Sequence, residues 1–143
     1  VVSPVVQSIV IVKDYAGNAY LPEWDFNGIG DLSIGEAYQI KMTTTDSLIV
    51  SGVQVQPEET PLVLIEGWNL VGYIRTETAS ADLVLADLVA QEMVIIAKDY
   101  AGNAFLPEWG FNGIGDFEPG KGYQLKVAGQ STLQYIANGL VYE

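Results

Sequence analysis

Asp25, Asn27 and Asp31 stand close enough in the chain to offer oxygens to one hard cation, and Asn112 and Asp116 restate the last two of them further on. Calcium is the ion that such carboxylate and amide oxygens suit, so a structural calcium is the one cofactor they would support. The spacing is not that of an EF-hand loop, and Gly110 stands where the first group has Asp25. Asn-Gly and Gly-Asp pairs also make turns on their own, the side chain bonding nearby backbone N–H groups. Glu23 and Glu108, each following a proline, are the carboxylates that could face each other as a glycoside-hydrolysing pair. With most acidic residues in polar stretches, solvated surface is the expectation for them, and no residue is assigned as catalytic. Gly113-Ile114-Gly115 and Gly120-Lys121-Gly122 have neither the glycine spacing nor the Ser/Thr after lysine that a phosphate loop needs.

The aromatics offer a different chemistry. Tyr20 and Trp24, matched by Phe105 and Trp109, could stack sugar rings, because an aromatic face gives affinity without charge. Core packing explains large aromatics equally well, and the expectation for Trp24 and Phe26 is a lid folded back over the core.

These residues belong to a stretch that the chain writes twice. Residues 13–42 return as residues 98–127 in a constant register of 85, and the copies differ only at positions 20, 25, 32, 33, 34, 36, 37, 40 and 42. A period of this kind outranks any local motif in reading a fold. It predicts two units, residues 1–60 as a first repeat short at its N-terminal side and residues 61–143 as a complete second one. The first has no counterpart of roughly residues 62–85, so one Gly67-Trp68-Asn69 segment must serve two repeated cores, or another chain must cover the first.

Composition bounds the rest. At 49% hydrophobic and 17% charged, the chain is too apolar for disorder. A net charge of -12 with six basic residues leaves nothing to displace counterions from nucleic acid or from an anionic membrane. Without cysteine or histidine there is no disulfide framework, no thiol catalysis and no imidazole base or ligand. No apolar run is long enough for a membrane span, so no membrane insertion is expected. A start at Val1 reads as a piece of something longer.

Residues 8–13 form a β-branched run that reads as a strand buried on both faces, and 16–18 turn it into a returning strand at 19–21. Residues 37–42, 47–50 and 53–56 read as further strands, and 57–61 as an acidic, proline-flanked linker. Residues 62–74 give two strand segments bent at Glu66-Gly67. Ser80 caps a helix to Ala90 whose Ala81, Val84, Leu85 and Leu88 share a face. The fold class predicted is mainly β: two pseudo-symmetric small β-barrel or β-sandwich units with one short α-helix.

Gly67-Trp68-Asn69, then Lys98-Asp99-Tyr100-Ala101-Gly102-Asn103, then Gly120-Lys121-Gly122-Tyr123-Gln124 occur in an order that resembles a repeat of large secreted or cell-surface proteins of Bacteroidetes-type bacteria. The resemblance spans about residues 62–128, with 8–42 as a partial copy. It implies a non-catalytic extracellular module for adhesion, spacing or self-assembly, partnered by neighbouring repeats or by copies of itself. The alternative is a carbohydrate-binding module of a secreted enzyme, with polysaccharide as the partner.

Overall fold

The computed structural model describes all residues, 1–143. It is mainly β, with 33% of residues in strands. The first repeat opens on a 3-10 turn, Ser3–Ser8, in which Pro4 supplies a preset φ at the start. A four-stranded antiparallel sheet follows: β1 (Ile9–Lys13), β2 (Ala19–Leu21), β3 (Phe26–Asn27) and β4 (Gln39–Met42), in the order β3-β2-β1-β4. The second repeat contains β5 (Leu62–Leu64), β6 (Gly67–Gly72), β7 (Ala79–Ser80), α1 (Ala81–Val84), α2 (Ala86–Ala90), β8 (Val94–Lys98), β9 (Ala104–Leu106), β10 (Phe111–Asn112), β11 (Asp116–Phe117), β12 (Gly122–Val127) and β13 (Ser131–Leu133). Its main sheet runs β10-β9-β8-β12-β6, and two short ladders, β11-β7 and β13-β5, pack beside it. Neither repeat closes into a barrel.

The order β3-β2-β1-β4 is the order β10-β9-β8-β12 in the 85-residue register, so the duplicated sequence folds twice into one sheet topology. The second copy then adds β6 beyond β12. That strand also answers the sharing problem posed by the sequence. On its outer edge, Gly72 N–H donates to the Gly35 carbonyl at 2.8 Å and Ala37 N–H donates to the Leu70 carbonyl at 3.2 Å, around a bridge between Glu36 and Val71. One Gly-Trp-Asn strand therefore lies between the two copies.

At that seam the same repeated position meets itself. A Cβ on Gly122 would stand 2.6 Å from the Cβ of Ala37, its counterpart in the first copy. Carbon atoms need well over 3 Å, so one member of the pair must be glycine.

The cores are unequal. Seventeen buried residues cluster in the second repeat, against Val5, Ile9 and Val12 in the first. The single helix expected over 81–90 is broken at Leu85 into α1 and α2, but the face of Ala81, Val84, Leu85 and Leu88 is buried throughout, with the Ser80 hydroxyl accepting from Asp82 N–H at 3.3 Å. Aromatic edges lock this core. Tyr73 meets Phe117 and Tyr135 edge-on, and Phe117 stacks on Tyr123 at 3.9 Å.

Three strand expectations fail in the first repeat. β1 is buried on one side only, with Val10 exposed, because nothing covers the sheet's other face. Residues 47–50 and 53–56 form no strand; Ser131–Leu133, the counterpart of 46–48, pairs with β5, and the first copy has no β5 to pair with. Pro57 is buried and its carbonyl accepts from Gln134 Nε2 at 2.9 Å, so the expected linker packs onto the second repeat.

Arg75 sits in a stretch read from the sequence as polar loop, yet its side chain is almost wholly buried. The guanidinium donates to the carbonyls of Ala137, at 3.2 Å, and Leu140, pairs with Glu77 at 3.4 Å and lies over the Tyr142 ring. It ties the C-terminal tail to the end of β6.

Candidate functional site

The most closely copied motif resolves into a turn. In the first copy the Asp14 carboxylate accepts from Ala16 N–H (3.0 Å), Asn18 N–H (2.8 Å) and Asn18 Nδ2 (2.9 Å), and Gly17 takes a left-handed φ of 86°. Asp99 repeats each bond with Ala101 and Asn103. Partial desolvation works against ionisation of both carboxyls, but the Asn side chain and the ring of N–H donors outweigh it and hold them below the ordinary value of 3.8.

A carboxylate lowered on folding stabilises the fold above its unfolded value, and that contribution disappears as pH falls through the lowered folded value. Asp99→Ala is expected to cost about 1–2 kcal/mol at pH 7, with solvent screening included. In urea titrations the gap to wild type should close as pH drops below about 4; a gap that stays constant down to pH 2 would refute the assignment.

Of the residues proposed to hold a ligand, Trp24 and Trp109 are exposed, at 75% and 77%, whereas Phe105 is in the core and Tyr20 is half-buried on the corresponding inner face. The structure thus parts Tyr20 and Phe105 from any outward platform. The lid expectation for Trp24 and Phe26 also fails. Asp25 and Gly110 take left-handed conformations that end the Pro-Glu-Trp turns, both tryptophans remain outside, and Phe26 and Phe111 lie against the glycines two residues on.

Trp68 on β6 is partly exposed and is approached by the ammonium groups of Lys98 and Lys126 at 5.7 and 5.8 Å. Tyr100 carries Lys121 at 4.8 Å. Between the repeats, Gln39, Ile40, Leu70, Lys98, Tyr100 and Lys121 help line a cleft of about 790 Å³.

Of the residues proposed for calcium, the two asparagines make local bonds. The Asn27 amide accepts from Gly30 N–H at 2.9 Å and donates to the Gly30 carbonyl at 3.2 Å, and Asn112 does the same with Gly115. Asp25, Asp31 and Asp116 are exposed, and no three acidic side chains converge anywhere in the chain. If a structural calcium is held here, thermal melts followed by circular dichroism should show a midpoint lowered by EDTA; curves that superimpose would remove the metal reading.

The feature that sets the repeats apart is an open groove on the first. Val12, Tyr20, Asn27, Ile29, Gly30 and Leu32 line a hollow of about 240 Å³ beside the first residues of the chain. Leu32 is 41% exposed, whereas its counterpart Phe117 is buried, and Ile40 and Leu48 are exposed where Leu125 and Leu133 are buried. Sequence reasoning found the missing cover but not this place, because only the folded second repeat reveals what the same residues pack against.

No protein-family model matches the chain, and neither a curated protein nor a solved structure matches it.

Proposed function

We propose that the chain is a non-catalytic repeat module of a secreted or cell-surface bacterial protein, serving adhesion, spacing or assembly by packing against further units of its kind. The observation that carries this reading is the unequal burial of a duplicated sheet. Residues that form a core in the second copy lie open in the first, where Ile40 is 47% and Val50 66% exposed. Apolar positions that one repeat buries and the other leaves open suit a surface on which a further unit docks. Charge agrees, since -12 keeps separate molecules soluble while the apolar face decides contact. Sedimentation equilibrium from micromolar to millimolar chain tests it. Reversible self-association is expected, and a monomer over the whole range would overturn the assembly function.

A second reading has its own support in the paired, outward Trp24 and Trp109, which suit stacking on a polysaccharide. A glycan array should then give binding that Trp24→Ala/Trp109→Ala abolishes without lowering the melting temperature. Silence of the wild type across polysaccharides excludes it.

A further inference from the structure

The second repeat displays what fills the counterpart of the open groove. There β7 pairs with β11, placing Ser80 against Asp116 and Ala79 against Phe117. Ala81 N–H donates to the Gly115 carbonyl at 2.9 Å, and Asn112 Nδ2 donates to the Asp82 carboxylate at 2.9 Å. Ala81, Val84 and Leu85 are buried in one cluster with Ala97, Phe105 and Phe117. In the 85-residue register these receiving residues are Asn27, Gly30, Asp31, Leu32, Val12 and Tyr20. All but Leu32, which is smaller than Phe117, and the Val12 and Tyr20 substitutions are identical between the copies.

The groove's backbone is set for the same guest. Asn27 and Gly30 hold the conformation of Asn112 and Gly115 through the same pair of hydrogen bonds. Asp31 and Leu32 belong to no strand, although their counterparts form β11. Val1 aligns with Ala86 in this register, and none of residues 1–60 corresponds to 79–85. The chain's own copy of that segment is engaged in the second repeat, and lending it to a neighbour would open one groove to close another.

We propose that this groove binds a strand–helix segment of the residue 79–85 type, carried by another repeat unit. Its marks are two extended residues ending in a Ser cap, an Asp two positions later, and small then branched apolar residues at the spacing of Ala81, Val84 and Leu85. Two extended residues pair with Asp31 and Leu32, the Asp carboxylate accepts from Asn27 Nδ2, and the apolar triplet covers Tyr20 and Leu32 beside the already buried Val12. Recognition thus combines strand addition with a helix face seated in a groove.

This inference rests on the assembly reading but makes a separate demand. A synthetic peptide of residues 77–90, titrated into the 15N-labelled chain, should move the amide signals of Asn27, Gly30, Asp31 and Leu32 and leave those of Asn112 and Gly115 in place. Asp82→Ala in the peptide should weaken binding about tenfold, the cost of one hydrogen bond to a charged group. Ala81→Glu should abolish it, and both changes leave the chain itself unaltered. Leu32→Glu in the chain, checked for an unchanged circular dichroism spectrum, should have the same effect. Absence of shifts up to millimolar peptide, or shifts confined to Asn112 and Gly115, overturns the inference. If the chain self-associates in sedimentation while the peptide fails, assembly uses another face and only the groove assignment falls. If the peptide binds and the chain stays monomeric, the groove stands and homotypic assembly falls.

Discussion

Replacing Arg75 with methionine is expected to lower stability by about 1–3 kcal/mol, because it removes the charged donor from the part-buried Ala137 and Leu140 carbonyls while keeping much of the packing volume. The guanidinium is the shared partner of Ala137, Leu140, Glu77 and the Tyr142 ring. Glu77 in turn accepts from Gly139 N–H at 3.0 Å and its carbonyl accepts from the Tyr73 hydroxyl at 2.6 Å, so the group links β6 to the tail from both sides. Removal should therefore free the tail before the sheet. Urea denaturation measures the loss, and limited proteolysis should show new cleavage after residue 137. A cycle with Glu77→Gln separates the ion pair from the carbonyl bonds: Glu77 is 46% exposed, and that change alone should cost under about 1 kcal/mol. If Arg75→Met proves as mild as Glu77→Gln, the carbonyl bonds contribute nothing and the clasp is misassigned.

The second large effect is at the seam. Gly122→Ala puts a methyl 2.6 Å from the Ala37 Cβ, and Gly122 has an ordinary φ, so the cost is contact and not backbone strain. Overpacking of this kind costs about 1–3 kcal/mol, and here it should be relieved by parting the repeats. The Glu36 to Val71 bridge would open, and the amides of Ala37 and Gly72 would lose protection from hydrogen exchange. Ala37→Gly/Gly122→Ala moves the methyl to the other side of the same contact and should restore both stability and protection. Failure of that exchange to rescue would mean that the damage lies within the β12–β6 ladder.

Sequence patterns foretold the elements whose partners lie within the same repeat. Ala81, Val84, Leu85 and Leu88 announce a helix face by spacing alone, and Ala16-Gly17-Asn18 announces a hairpin because only glycine takes its φ of 86° cheaply. Residues 47–50 and 53–56 carry strand-like patterns and yet form no strand, since side-chain alternation says nothing of whether a partner supplies the backbone bonds. Trp24 misled for a related reason. Bulk favours burial, but the left-handed Asp25 fixes where the turn points, and a single φ is not written in hydrophobicity. Arg75 gave one neglected signal, being the chain's only arginine among six basic residues; its carbonyl partners lie far along the chain, beyond the reach of local motifs.

The seam between the repeats also has a mechanical meaning. Two backbone bonds, Gly72 to Gly35 and Ala37 to Leu70, join the first sheet to β6, whereas β6 is paired with β12 along six residues. Load passed from one repeat to the next would meet this short junction before the long ladder. A row of such modules under tension would then lengthen by parting at seams while each five-stranded sheet stayed whole, and would close again when slack, since the glycine that permits the junction belongs to the sheet that never opened.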